Sequence, residues 1–107
     1  MASKRVEFHE AASLEYEAAF DWYLERSETA AAKFVEEVSR AIAKIAEAPQ
    51  LWPAGKLATR GFPLARFPFA IVYRELPGTV QVVAVAHGRR RTAVGARVTG
   101  NSVYSAA

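Results

Sequence analysis

Hydrophobic spacing changes period twice along this chain, near Glu10 and near Pro49, so the segments on the two sides of that proline must fold differently. Before it, Ala12, Tyr16, Ala19, Phe20 and Tyr23 fall at i, i+4, i+7, i+8 and i+11, one face of an amphipathic helix. Glu15, Glu17, Asp21 and Glu25 point elsewhere. Ser27 then stands where an N-cap belongs, and Glu28 suits the positive end of a new helix dipole. Ala31, Phe34, Val35, Val38, Ala41, Ile42, Ile45 and Ala46 continue a helical stripe until Pro49, which cannot extend it. Two helices joined at Glu25-Arg26-Ser27 predict an antiparallel helical hairpin.

Flanking segments read as strands. Val6 to Phe8 alternates apolar, acidic, apolar, which suits a first strand with Val6 and Phe8 inward. Pro49 to Gly61 carries Pro53 and Gly55 and reads as a loop. Phe62 to Phe67 is expected to be a strand, with Pro63 marking a sheet edge or a strand start, because proline has no N–H to give a ladder. Phe69 to Arg74 and Val80 to Ala86 are β-rich runs around the turn Leu76-Pro77-Gly78-Thr79, and should pair as an antiparallel hairpin. The expected fold is α+β in the order β-α-α-β-β-β, an antiparallel sheet packed against an N-terminal helical hairpin. At 107 residues this is one expected domain, with a core over about 6–91. Residues 92–98 read as a short helix or irregular chain, and residues 99–107 as a frayed tail.

Charge is distributed unevenly across the same boundary. Residues 1–48 hold 10 Asp/Glu against 6 Lys/Arg, whereas beyond them Glu75 is the sole acid against 8 Lys/Arg. The modest net charge of +3 therefore hides a basic second half, suited to a polyanion or an acidic partner protein. A hydrophobic fraction of 51% with 23% charged residues supports a folded core rather than disorder. The absence of cysteine excludes disulfides, thiolate zinc sites and a Cys nucleophile. The opening residues lack an apolar signal core, and no run approaches the ~20 apolar residues of a membrane span. A soluble, cytoplasmic protein without membrane contact is expected. His9 and His87 are isolated, and no ligand spacing, phosphate-binding Gly-rich loop or Gly-x-Ser-x-Gly elbow is present, so no metal or cofactor is expected.

Six segments together resemble the RelE/ParE family of bacterial type II toxin–antitoxin toxins, and their pattern is nearest its ParE-like branch. They are Val6-Glu-Phe-His-Glu-Ala-Ala12, Phe20-Asp-Trp-Tyr-Leu-Glu-Arg-Ser27, Ala31-Ala-Lys-Phe-Val-Glu-Glu-Val38 and Ile45-Ala-Glu-Ala-Pro49. Arg66-Phe-Pro-Phe-Ala-Ile-Val-Tyr-Arg74 and Val82-Val-Ala-Val-Ala-His-Gly-Arg-Arg90 complete the set. The resemblance implies the fold derived above and a growth-inhibiting toxin neutralised by a cognate antitoxin. Members of the family act mainly on DNA gyrase, without an active site of their own, or on mRNA in the ribosome as metal-independent endoribonucleases. It also implies assembly as a homodimer or as a toxin–antitoxin hetero-oligomer. A solitary, non-toxic binding module of the same family is a third reading.

Catalytic residues stay open between these readings. An RNase would need a base for the 2′-hydroxyl, an acid for the leaving oxygen and cations at the phosphate. Arg66, Tyr73, Arg74, His87 and Arg89 are the candidates. Arginine suits phosphate through its bidentate fork, and histidine titrates near neutral pH. Against this, Lys56 is the only lysine after Lys44, where the nuclease branch is lysine-rich. His87 also reads as a hydrogen-bonded structural residue at a strand end, and period-2 packing places Tyr73 in the core with Phe69 and Ile71. Arg66, Arg74, Arg89, Arg90 and Arg91 are the candidates for binding a partner or nucleic acid. Trp22, off the main stripe of its helix, reads as a hairpin-edge residue or a partner contact, and Trp52 as a lid over the core.

Overall fold

The computed structural model describes residues 3–88. Its elements run β1 (Arg5–Phe8), α1 (Glu10–Arg26), α2 (Glu28–Glu47), β2 (Arg60–Pro63), β3 (Phe69–Leu76) and β4 (Thr79–His87). This is the expected α+β order. The expectations for residues 92–98 and 99–107 lie outside the described residues.

Both helices start at side-chain caps. The His9 imidazole accepts from the Ala11 amide at 3.1 Å, a role the sequence reading did not give it. Ser27 Oγ accepts from the Ala30 amide at 3.1 Å, so one serine ends α1 and begins α2. α2 ends at Glu47, with Ala48 as its C-cap just before Pro49.

The sheet order is β1-β4-β3-β2. β2 with β3 and β3 with β4 pair antiparallel, but β1 pairs parallel to β4, with Val6 opposite Val80 and Phe8 opposite Val82. A parallel neighbour is reached only through a long crossover, which the helical hairpin supplies. Pro77 and Gly78 form the β3–β4 turn, where Gly78 takes the positive φ of 71° that position requires.

The strand expected over Phe62–Phe67 is corrected to Arg60–Pro63. Pro63 stands at the end of this edge strand, as its missing N–H allows. Residues 64–67 instead form a turn that returns to β3, with the Leu64 amide bonded to the Phe69 carbonyl at 2.9 Å. The Glu37 carboxylate on α2 holds this turn by accepting the amides of Ala65 and Arg66.

The core lies between the helices and one face of the sheet. Phe34 of α2 is fully buried, with ring centroids 5.3 Å from Tyr23 and from Phe67, and 5.8 Å from Phe69. Burying such a ring contributes up to about 3 kcal/mol. This cluster fixes α1 over the far ends of β3 and β4, the region that carries the candidate site.

Candidate functional site

Tyr73 is a core residue, as strand alternation favoured. It is 0% exposed, and its hydroxyl donates to the Pro49 carbonyl at 2.6 Å. Burial raises its pKa, partly opposed by the Arg60 charge and reinforced by Glu75. A phenol kept protonated and already engaged is a poor proton acceptor.

Among the described residues, the cationic candidates do not converge. Phe69, Ile71 and Tyr73 face the helices, so Arg74 projects from the opposite face of the sheet. There it is exposed and donates from Nε to Gln81 at 2.9 Å. His87 pairs with Phe69 at the other end of the β3–β4 ladder and packs edge-on against that ring, with centroids 5.4 Å apart. Five strand residues, or about 17 Å, separate the levels of His87 and Arg74. These two side chains cannot grip one phosphate together. Arg66 lies in the turn before β3, exposed, with its backbone amide 3.1 Å from Glu37. Arg89, Arg90 and Arg91 lie outside the described residues and follow Gly88 directly in the chain.

Internal carboxylates do not neutralise the second-half cations among the described residues. Glu75 pairs with Lys4 at 2.9 Å, and the other ion pairs join Arg5 with Glu7, Arg26 with Glu25 and Arg40 with Glu36. Arg60 donates to the Trp52 carbonyl at 2.8 Å. The described cations are thus spread over the molecule, and the densest basic run is the arginine triplet of the sequence. No group of three His, Asp or Glu able to hold a metal ion occurs among the described residues. No described helix is long and apolar enough to cross a membrane.

What the structure does assemble is a groove of about 500 Å³ between α1 and the end of β4. Trp22, Ala19, Pro68, Phe69, Val85 and His87 are among the residues that line it. Trp22 is 52% exposed and carries the Arg26 guanidinium 3.7 Å from its ring centre. Leu14, Ala18 and Trp22 recur at i, i+4 and i+8, a second apolar stripe on α1 turned away from the core. Sequence reasoning singled out Trp22 but not the stripe; its i+4 spacing was the available signal.

A family model described as the ParE toxin of the type II toxin–antitoxin system parDE matches residues 6–92. The chain belongs to the ParE toxin family. Among solved structures, the ParE fold here resembles a chain of the chromosomal ParDE toxin–antitoxin system of P. aeruginosa, with a TM-score of 0.69 and 17% identity. That likeness covers 79% of this chain and 96% of the Pseudomonas one. At this identity it bears on the fold, which it shares. No curated protein sequence matches the chain. Membership gives the ParE scaffold a place in toxin–antitoxin systems.

Proposed function

We propose that this ParE-family chain arrests growth by binding DNA gyrase with its DNA and stabilising the cleaved intermediate, and that a cognate antitoxin neutralises it. The family match over residues 6–92 carries the reading. The separation of Arg74 from His87 supports it against an RNA-cleaving site, since a nuclease must bring its cations and its acid–base groups to one phosphate. On this reading the toxin performs no bond chemistry. Its contribution is differential affinity for the cleaved state of the enzyme–DNA complex, which needs a surface rather than an active site.

Arg89, Arg90 and Arg91 are the residues proposed to meet the DNA or an acidic face of gyrase. Three consecutive guanidinium groups with no acid after Glu75 give a concentrated positive charge. Arg66 and Arg74 act separately, as individual contacts. The antitoxin lays an acidic, amphipathic segment over the hairpin and sheet, offsetting this charge and covering apolar surface. The target implies a cytoplasmic location.

Induction of the chain in a bacterial host should arrest growth, and the triple variant Arg89→Ala, Arg90→Ala, Arg91→Ala should relieve the arrest by about tenfold or more in survival while the purified fold stays intact. An intact triple variant as toxic as the parent would remove these arginines from the mechanism. Full growth with the unaltered chain would support the solitary binding module instead.

A further inference from the structure

Between α2 and β2 the chain makes a small antiparallel arm. Pro53 to Gly55 run back along Thr59 to Gly61, with a bridge between Ala54 and Arg60. The Gly55 amide donates to the Thr59 carbonyl at 2.7 Å, and the Gly61 amide to the Pro53 carbonyl at 3.1 Å. The base of the arm is fixed to the body of the molecule. Arg60 donates to the Trp52 carbonyl at 2.8 Å, and the Trp52 ring packs edge-on against Phe62 with centroids 4.4 Å apart. Just before the arm, the Tyr73 hydroxyl holds the Pro49 carbonyl. At the tip, the Thr59 amide and hydroxyl both donate to the Lys56 carbonyl, at 3.1 and 2.6 Å. They close a tight turn whose two central residues are Leu57 and Ala58.

Both central residues sit at a φ of 58°. Asn-Gly or Gly-Gly normally fills such a turn, and a bulky side chain in the left-handed region is an outlier. Leu57 is 56% exposed, so packing within this chain offsets little of that strain. A lone exposed leucine needs no explanation, but one held at positive φ on a braced arm does. No Asp or Glu occurs between Glu47 and Glu75, and Lys56 adjoins Leu57. An apolar side chain beside a lysine, in an acid-free segment, fits an apolar protein pocket edged by carboxylates. A nucleic-acid backbone would match the charge and leave the leucine unburied. A preformed tip also suits a folded partner with a ready pocket, since little ordering entropy is lost on docking. We propose that Leu57 is an anchor that inserts into such a pocket on the target enzyme, with Lys56 facing its acidic rim. This rests on the gyrase reading above and deepens it by naming a contact.

The test compares the full-length chain with two variants of the tip. Ala58→Gly keeps the leucine and relieves one positive φ. The double variant Leu57→Asn, Ala58→Gly installs the residues such a turn prefers and removes the anchor. Both should melt at a higher temperature than the parent, because neither glycine nor asparagine is strained there as leucine and alanine are. By calorimetry against purified gyrase, the double variant should bind about tenfold or more weakly, and Ala58→Gly within about threefold of the parent. Binding to the product of the open reading frame adjacent to the gene should stay within about threefold for both. A stabler chain that has lost its target is the mark of a residue kept for contact, since a merely structural role would move both readings together.

A stabilised double variant that binds gyrase as tightly as the parent would overturn the anchor. Lowered melting temperatures in both variants would overturn the strain on which the inference stands. Weakened binding to the adjacent product with gyrase binding intact would assign the tip to that partner, and overturns the proposal equally. Absence of gyrase binding by the unaltered chain would overturn the target reading itself, and the docking assignment with it.

Discussion

The hydroxyl of Tyr73 and the carboxylate of Glu15 show how placement decides what a polar group can do. Tyr73 has the chemistry of an acid–base residue but donates its proton to the Pro49 carbonyl inside the core. Tyr73→Phe should therefore lower stability by about 1–2 kcal/mol, because the carbonyl loses its donor, and should leave toxicity unchanged. Denaturant unfolding of the variant and its growth phenotype would check this; a stable but inactive variant would restore Tyr73 as a working residue. Its core position was legible from alternation with Phe69 and Ile71. The role of Glu15 was not. It reads locally as one more solvent-facing helix acid, and only the end of β1 at Phe8 exposes the Val85 amide that draws it inward.

Among the elements, the helical hairpin was fully legible, since two apolar stripes, the Ser27 cap and Pro49 all act within a turn or two of themselves. The sheet was legible in its β3–β4 hairpin and less so at its edges. Nothing in Arg5–Phe8 encodes a parallel partner 74 residues away, and the turn at 64–67 takes its shape from Glu37 on α2. A similar long-range tie joins the start of the chain to β3: Lys4 donates to Glu75 while its backbone amide reaches the Ala46 carbonyl. The Lys4 hydrogen bond is the main cause that lowers the Glu75 pKa below 4.5, with partial burial opposing it and Gln50 assisting. A carboxylate with a depressed folded pKa binds fewer protons in the native state than in the unfolded one. Its stabilisation is present above pH 4.5 and is lost as pH falls through the lowered value. Glu15 acts with the opposite sign, since its raised pKa makes stability decline as pH rises through the range just above 4.5. Glu75→Gln should therefore be less stable than the parent at neutral pH and show a shallower loss below pH 4.5. Melting temperatures across that range would show it, and parallel curves for parent and variant would contradict the assignment.

For the whole molecule, the main consequence is a division of charge that ion pairing among the described residues does not cancel. The N-terminal helices carry most of the acids, and the one acid of the second half is paired with Lys4. Lys56, Arg66 and Arg74 stand outside the carboxylate pairs of the described residues. Net charge by halves is legible in a sequence, whereas convergence in space depends on strand faces and on the β3–β4 register. On the proposed reading, the distance between Arg74 and His87 counts against an RNA-cleaving centre built from that pair. The most direct measurement is incubation of the purified chain with gyrase and supercoiled plasmid, and in parallel with translating ribosomes. The account predicts linearised, gyrase-linked plasmid and intact mRNA. Codon-phased mRNA cuts with no linear plasmid would contradict it.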